Sequence, residues 1–353
     1  MSRHAAHRPW YHNASIRIAC AVALVGALVA TTLLWPDGPS ADPRVVSDEV
    51  RPGPGPTLKP PRSPAPTLSP APLAPDVKGL LKKTRLEVER NSVVTTTFRV
   101  SSFNVLGASH TSSGGRHARF ASGQVRMSYA VGLLNGTGID VAGLQEFQPI
   151  QHGVFASQAP EWGVYPDASM GREAGANAIV WREDTWELVE SHLIDIPYFG
   201  GSLRPMPYIL LRHRETGADI WFANFHNPAD AHGPAAHHRA AATQRQIALA
   251  NELTADGTPL IFTGDFNDPA EYFCPLTTNT TMAAANGGST GTSCAPPAKM
   301  DVDWIFGSEV IDFGTFASVK DGLVARTSDH PFVWAEATAT TKAPSVEQTT
   351  RDN

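Results

Sequence analysis

The chain has 353 residues, with 28 lysines and arginines against 34 aspartates and glutamates, so its formal net charge is −6. Residues 92–340 carry 14 basic and 25 acidic side chains, a net of 14 − 25 = −11. A protein that grips a long nucleic acid through many phosphates needs a basic face, and this balance excludes a large one. A few arginines can still contact phosphate locally, namely Arg116, Arg119, Arg172, Arg204 and Arg326.

The N-terminal end contains an apolar run that is long enough to reach across a bilayer. Residues 18–35 carry no charge, and at roughly 1.5 Å per residue their length is near the minimum for a membrane-spanning helix. Arginines precede the run and Asp37 and Asp42 follow it, which places residues 1–17 in the cytoplasm by the positive-inside rule. We predict an uncleaved single-pass anchor; the alternative is a signal peptide whose removal leaves a secreted protein.

A proline-rich segment follows the apolar run. Residues 36–75 hold 13 of the 29 prolines and few large apolar side chains. Such a segment cannot bury enough surface to fold, so we predict a disordered stalk. We expect a short basic lead-in helix at residues 76–91, one folded domain at residues 92–340 and a disordered tail at residues 341–353. The folded domain would then lie on the extracytoplasmic side of the cell membrane.

Within the folded domain, apolar strands end or begin on polar side chains. Because the ends of some strands and the starts of others share one edge in a mixed sheet, these side chains can converge on one rim. Side chains alternate along a strand, so we also expect Asp265 and Asn267 to emerge on the same side. The polar residues at the strand ends are Asn104, Glu146, His226, Asp265, Asn267, Asp303, Asp329 and His330.

The strand patterns also predict the layers of the fold. Residues 141–144 and 260–262 are apolar on both faces, so both faces of their sheets must be covered. Helical patterns at residues 119–134 and 238–253 fit an outer layer. We therefore predict a four-layer α/β-sandwich, in which two mixed, mainly antiparallel sheets pack face to face with helices outside.

Two cysteines of this domain flank a loop that is rich in Thr, Asn, Ala and Gly. In an oxidising space across a membrane, Cys274 and Cys294 are expected to form a disulfide, the alternative being two free thiols. Closing a loop of about 20 residues stabilises a fold by roughly 3 kcal/mol through the entropy of the unfolded chain.

The order of the polar motifs resembles the endonuclease/exonuclease/phosphatase superfamily, the deoxyribonuclease I-like metal-dependent phosphoesterases. The resemblance covers residues 95–338 and implies the same sandwich fold. Two positions depart from the usual pattern: Asp301 stands where a basic residue is common, and Asn-Pro follows His226 in place of an apolar residue. The similar pieces are FNV with Asn104, GLQE with Glu146, FHN with His226, GDFN with Asp265 and Asn267, DVDWIF with Asp303, and SDHPFV with Asp329 and His330.

The resemblance implies attack of water on phosphorus with the help of a metal ion. Glu146 would hold Mg²⁺, or Mn²⁺ in its place, because such an ion is usually held by one or two carboxylates with waters and substrate phosphate. Asn104 would complete or orient that metal site. Asp265 would accept the proton of the attacking water, Asn267 would donate to the transition-state oxygen, and His330 would bind the scissile phosphate.

The resemblance also implies roles for the remaining polar residues. His226 would be the acid that serves the leaving group. Asp303 would fix the tautomer of His226, and Asp329 would do the same for His330, because the protonation of one ring nitrogen is set by the contact of the other.

These observations predict an exported or membrane-anchored hydrolase of phosphodiester bonds, with an extracellular nuclease as the first candidate. The second candidate is a sphingomyelinase-type phospholipid hydrolase or a hydrolase of small phosphoesters, since the aromatic segment at residues 196–201 could contact lipid. The third is an inactive binding module of the same fold. The expected partners are the phosphoester substrate, with nucleic acid as its first form, and the membrane through residues 18–35. We expect a monomer.

Overall fold

The computed structural model describes residues 93–268, 270–299 and 301–342. The segments predicted at residues 1–17, 18–35, 36–75 and 76–91 lie outside the described residues, and so does the predicted tail from residue 343 onward. In the part of the chain that is described, no helix is long and apolar enough to cross a membrane.

Strands form at the β-branched and aromatic runs of the sequence, which favour a pleated, buried surface. In chain order they are β1 (Val93–Asn104), β2 (Val141–Gln145), β3 (Trp162–Tyr165), β4 (Asn177–Arg182), β5 (Trp186–Pro197), β6 (Leu203–His213), β7 (Asp219–His226), β8 (Leu260–Asp265), β9 (Ala283–Ala284), β10 (Asp303–Gly307), β11 (Ile311–Val319) and β12 (Phe332–Lys342). The last strand continues two residues into the predicted tail.

The strands form two six-stranded sheets, in the orders β11-β12-β1-β2-β4-β3 and β5-β6-β7-β8-β10-β9. Each sheet has one parallel pair, β1 with β2 and β7 with β8, and its other pairs are antiparallel. This arrangement confirms the prediction of mixed, mainly antiparallel sheets. Within each parallel pair the two strands end side by side, Asn104 opposite Gln145 and His226 opposite Asp265.

Helices cover the outer faces. They are α1 (Gly123–Thr137), α2 (Pro149–Gln158), α3 (Arg172–Gly175), α4 (Ala236–Leu253), α5 (Phe273–Asn279) and α6 (Val324–Thr327). The two predicted helices correspond to α1 and α4. Helix α1 begins later than predicted because Ser122 caps it, its side chain accepting from Val125 N, and it ends at Gly138 with φ of 65°.

Three apolar clusters separate the four layers. One cluster lies between the first sheet and α1 and α2, and includes Met127 and Phe155. A second lies between the two sheets and includes Trp186 and Phe222. The third lies between the second sheet and α4 and α5, and includes Phe273. The layer order is therefore helices, sheet, sheet, helices, which confirms the predicted four-layer α/β-sandwich.

A buried asparagine joins the two sheets just beneath the edge where the parallel pairs end. Asn224 of β7 donates through Nδ2 to the carbonyls of Leu144 (2.8 Å) and Ala178 (3.0 Å), and its Oδ1 accepts from Gln145 Nε2 (2.6 Å). A Cβ at Gly143 would lie 2.5 Å from Asn224 Oδ1, so the close approach of the sheets requires a glycine there. These bonds fix the position of one sheet relative to the other.

The predicted disulfide is present. Cys274 and Cys294 are bonded, with their Cα atoms 5.8 Å apart. The bond ties the start of α5 to the turn Gly291–Ser293.

Candidate active site

The predicted site residues all lie at a strand end or within three residues of one. Seven of the eight form one network of contacts at the edge where the two parallel strand pairs end. The eighth, Asp329, lies beside that network, and its carboxylate faces His117. The seven are Asn104, Glu146, His226, Asp265, Asn267, Asp303 and His330.

Asn104 is the centre of the network. Its side chain is fully buried, and Nδ2 donates both to Glu146 Oε1 (3.3 Å) and to Asp265 Oδ2 (3.0 Å). Its Oδ1 accepts from Leu106 N at 3.0 Å. The amide therefore orients one carboxylate from each sheet through its nitrogen, which fits the predicted orienting role. Direct ligation of a metal by Asn104 stays a prediction.

Glu146 follows β2 and has left-handed backbone, with φ of 57°, a strained conformation that is enriched at functional sites. Its Oε2 accepts from Gly107 N (2.7 Å) and lies 3.2 Å from His110 Nε2. A Cβ at Gly107 would meet Gln148 Nε2 at 2.6 Å, so only glycine lets the main chain reach the carboxylate. Burial raises the pKa of Glu146, but the bonds from His110 and Gly107 and the nearby imidazoles outweigh it, and the pKa lies well below its usual range. Glu146 is therefore anionic.

Asp265, the last residue of β8, is buried and surrounded by nitrogen atoms. Its Oδ1 accepts from Asn267 N (3.0 Å), and its Oδ2 lies 3.5 Å from His226 Nε2 and 3.7 Å from His330 Nδ1. The strand ends here and Asn267 has φ of 51°, so the predicted alternation does not reach Asn267. A tight turn places Asn267 instead, with its Nδ2 donating to Asn227 O at 2.9 Å.

His330 is paired with Asp303. The distance from His330 Nδ1 to Asp303 Oδ2 is 2.9 Å. Burial lowers the pKa of His330, but the carboxylates of Asp303 and Asp265 outweigh it and raise that pKa to about 10. Burial also raises the pKa of Asp303, and the cationic imidazole opposes that shift. The pair shares one proton, which we place on the imidazole because two carboxylates face it.

The histidine partners predicted from the sequence are wrong. Asp303 contacts His330 and not His226, because β8 lies between β7 and β10 and separates those two residues. Asp329 does not contact the imidazole of His330: its Oδ2 lies 3.5 Å from His117 Nε2, and its Oδ1 lies 3.5 Å from Ser328 Oγ. His226 instead lies against Asp265, its neighbour in the parallel ladder.

Two supporting residues were not predicted. Ser328 Oγ donates to the Asn104 carbonyl (2.6 Å) and accepts from His330 N (3.2 Å), so it ties the segment before β12 to the end of β1. Arg126 of α1 is fully buried. Its Nη1 donates to Val105 O (2.6 Å), next to Asn104, and to Thr327 O (3.1 Å), next to Ser328. Ser328 belongs to the SDHPFV motif but had no predicted role, and Arg126 stands in no quoted motif, so their contacts identify both.

His110 was not predicted either, although it reaches the Glu146 carboxylate. It lies in the turn Ala108–Thr111, the next element after β1. The available signal was a polar stretch close behind the FNV motif of Asn104.

Comparison with known proteins identifies the family. A sequence profile of the Endonuclease/Exonuclease/phosphatase family matches residues 101–330, a range that contains all eight predicted site residues. The chain belongs to this family. Its members are hydrolases that act on phosphoester bonds, and they generally depend on divalent metal ions. No curated protein sequence matches the chain.

Solved structures agree with the family fold. An endonuclease/exonuclease/phosphatase family protein from Bacteroides thetaiotaomicron has 17% identity and a TM-score of 0.56, over 70% of this chain and 99% of that one. A mannosyl-6-phosphatase from the same species has 19% identity and a TM-score of 0.55, over 68% and 99%. The catalytic domain of human Nocturnin, with a bound sulfate anion, has 16% identity and a TM-score of 0.53, over 71% and 97%. At these identities the likeness supports the fold alone.

Two groups of side chains in the described residues fit the divalent cation of an endonuclease/exonuclease/phosphatase family member. Glu146 is anionic and lines a cleft, and among the described residues its Oε1 accepts only from Asn104 Nδ2, at 3.3 Å. Asp265, Asp303 and His330 offer ligand atoms within 4.8 Å of one another. The Asp303 Oδ1 atom is buried and has no hydrogen-bond partner in the described part of the chain. Carboxylate oxygens suit Mg²⁺ and Mn²⁺, so Glu146 fits the cation, and in the second group the Asp265 and Asp303 carboxylates fit it, whereas the cationic His330 does not act as a ligand.

A cleft of about 280 Å³ opens beside Glu146 and His226. Tyr198 is buried, and the guanidinium carbon of Arg204 lies 4.9 Å from the centre of its ring. Phe199 packs edge-on against His232, with ring centroids 4.6 Å apart. The aromatic segment therefore forms a wall of the cleft, and its predicted contact with lipid stays a prediction.

Proposed function

We propose that the chain is a divalent-cation-dependent phosphodiesterase that uses Mg²⁺ or Mn²⁺ and hydrolyses nucleic acid by in-line attack of water. One observation carries the proposal: the Asn104 amide joins two carboxylates, Glu146 and Asp265, at an edge where His226 and His330 also lie. Such a set offers a cation ligand, a base for water and two imidazoles for phosphate.

Each side chain has a role that follows from its contacts. Asp265 would take the proton of water, since its carboxylate is held in place by the nitrogen atoms of Asn104 and Asn267 and lies beside two imidazoles. His330, kept cationic by Asp303, would bind the phosphate. Asn267 donates one amide hydrogen to Asn227 O and keeps a second for the transition-state oxygen.

The leaving group needs a proton and a neutralised phosphate. His226 lies against Asp265 and lines the cleft, so it would give a proton to the leaving oxygen. The cation held at Glu146 would neutralise charge on the phosphoryl oxygens.

A second cavity supports nucleic acid as the substrate. This cavity, of about 340 Å³, is lined by Arg119, Phe120, Tyr129 and Arg326. Arg326 Nη2 donates to the Tyr129 hydroxyl at 2.8 Å, and neither arginine forms an ion pair with a described carboxylate. Helix α6, which carries Arg326, leads directly into the segment that holds His330. A second phosphate of a nucleic acid would bind in this cavity through its arginines.

A hydrolase of small phosphoesters is the second candidate. The cleft beside Glu146 is compact and carries one arginine, Arg204, which suits a small phosphorylated group. One neighbour of similar fold is named a mannosyl-6-phosphatase, which is consistent with this alternative. An inactive binding module is less well supported, because a protein without activity does not need this complete set of catalytic side chains.

A substrate panel tests the proposal. The full chain is assayed on plasmid DNA, RNA, sphingomyelin, inositol phosphates and hexose 6-phosphates, with Mg²⁺, with Mn²⁺ and with a chelator. We expect cleavage of DNA or RNA that stops in the chelator, and Glu146→Gln should need more metal ion for half-maximal rate. Full activity in the chelator would refute the metal requirement. Hydrolysis of the sugar phosphates alone would favour the second candidate, and no hydrolysis would favour the binding module.

We also propose that the domain lies outside the cytoplasmic membrane, held by residues 18–35. The arginines before this apolar run and the aspartates after it support that orientation. The Cys274–Cys294 disulfide supports an oxidising compartment. Protease added to intact cells should release an active fragment. Full protection from the protease, together with reduced cysteines in the cell, would refute the proposed location.

A further inference from the structure

His110 is held on the rim of the cleft by a turn that is tightly bonded to the rest of the site. His110 N donates to Gly107 O at 3.0 Å within the turn. The turn is bonded to the start of α2: Ser109 N donates to Gln148 Oε1 (2.9 Å), and Gln148 Nε2 donates to Ser109 Oγ (2.8 Å). The backbone of His110 is therefore fixed relative to the Glu146 segment, which directly precedes α2. Such fixation is typical of a residue that acts through its side chain.

The imidazole of His110 packs edge-on against that of His117, with ring centroids 6.2 Å apart, and is otherwise open to the cleft. Its side chain is 42% exposed, and its described polar contact is the one from Nε2 to Glu146 Oε2 at 3.2 Å. His117, seven residues later, has a similar setting but lies against Asp329. Both His110 and Glu146 line the cleft in which the phosphate of a substrate would lie.

The distance between His110 Nε2 and Glu146 Oε2 fits two atoms that are bonded to the same metal ion. Metal–nitrogen and metal–oxygen bonds of about 2.0 to 2.2 Å place two neighbouring ligand atoms about 2.9 Å apart at a right angle and about 3.4 Å apart at a tetrahedral angle. The observed 3.2 Å from His110 Nε2 to Glu146 Oε2 lies between these limits. Oε2 also accepts from Gly107 N, which fixes the carboxylate, and its second lone pair faces His110 Nε2, where a bound ion would replace the imidazole proton.

We propose that His110 is a nitrogen ligand of the cation that Glu146 holds. The inference rests on the metal site of the proposed function and goes beyond it, because it assigns a second protein ligand and a preference among metals. A site with carboxylate oxygen alone suits Mg²⁺, whereas imidazole nitrogen favours transition metals. The paired site therefore binds Mn²⁺, and the later divalent metals, more tightly than Mg²⁺.

Metal binding is measured on the full chain without substrate, so the test does not depend on turnover. Titration calorimetry compares Mn²⁺ and Mg²⁺ for the wild type, His110→Gln, Glu146→Gln and the matched control His117→Gln. We expect His110→Gln to weaken Mn²⁺ binding by at least about tenfold and to change Mg²⁺ binding by less than about threefold. His117→Gln should bind both ions as the wild type does. A role for His110 in orienting Glu146 alone would weaken both ions equally, and that result overturns the inference.

A spectroscopic measurement on the unmodified protein covers the case in which a variant does not fold. Pulsed electron paramagnetic resonance of Mn²⁺ bound to the wild type should show coupling to a directly bonded ¹⁴N nucleus. Absence of that coupling overturns the inference. The coupling is expected to disappear in His110→Gln and to persist in His117→Gln. If Glu146→Gln abolishes binding while His110→Gln does not alter it, the inference fails and the proposed function stands. If neither variant alters binding, the proposed metal site itself fails.

Discussion

Replacement of Asp265 by asparagine is the most direct test of the proposed chemistry. The change keeps the size and shape of the side chain and removes its charge. In the wild type, Oδ2 faces Asn104 Nδ2 at 3.0 Å and two imidazole nitrogens at 3.5 and 3.7 Å, while Oδ1 accepts from Asn267 N at 3.0 Å. An asparagine at this position has one oxygen fewer, so its NH₂ group must face at least one of these donors.

The expected loss follows from the role of the carboxylate as a base. A positioned general base contributes about 10² to 10⁴ in rate, which corresponds to about 3 to 5 kcal/mol at roughly 1.4 kcal/mol per tenfold change. Substrate binding should change only a few-fold, because the groups that contact the phosphate stay in place. The effect should therefore appear in the chemical step and not in the affinity.

Single-turnover rates on the ester identified by the substrate panel measure this step directly. Asp268→Asn is the matched control: it makes the same chemical change in the same turn, and the described partners of the Asp268 carboxylate are Glu271 N and, at 3.9 Å, Arg239 Nε. Thermal unfolding of both variants checks that the fold is retained. If Asp265→Asn keeps more than roughly a tenth of the wild-type rate, Asp265 is not the base.

Three further changes test other parts of the structure. Asp303→Asn should lower kcat/KM at least about 100-fold, because it removes the carboxylate that lies 2.9 Å from His330. Asp329→Asn should lower kcat/KM less than about tenfold, because Asp329 faces His117. Equal losses in the two variants would contradict the pairing of Asp303 with His330. Cys294→Ser should lower the free energy of unfolding by about 3 kcal/mol and Tm by roughly 6 to 12 °C, and a calorimetric Tm equal to that of the oxidised wild type would contradict this. Burial lowers the pKa of His152 below 6.5 in the folded chain. As the pH decreases, His152 of the unfolded chain therefore takes up a proton first, and the free energy of unfolding should fall below pH 6.5. Between pH 7.5 and 5.5, denaturation curves should show a smaller fall in the free energy of unfolding for His152→Gln than for the wild type. Equal falls in the two proteins would refute this role of His152.

The sequence determined the layers of this protein and the positions of its catalytic side chains along the chain. A strand that is apolar on both faces must be packed against other elements on both faces. This requirement follows from the sequence of the strand alone, so it can be predicted without knowing which elements are its neighbours. In the same way, a polar residue that follows a strand pattern predicts its own place at a strand end, as Asn104 and Glu146 illustrate. The disulfide between Cys274 and Cys294 was also predictable, because the region holds no other cysteine.

Only the tertiary structure decided which of these side chains contact each other. The partner of Asp303 depends on sheet order: with β8 between β7 and β10, His226 meets Asp265, and Asp303 is left to His330. The contact of His110 with Glu146 depends on a turn bonded to a distant helix, and the bonds of Asn224 depend on how the two sheets face each other. Strand ends have a local signal, whereas contacts between strands arise from the packing of residues far apart in the chain. The sequence could therefore place the catalytic side chains at the ends of strands, but it could not pair them.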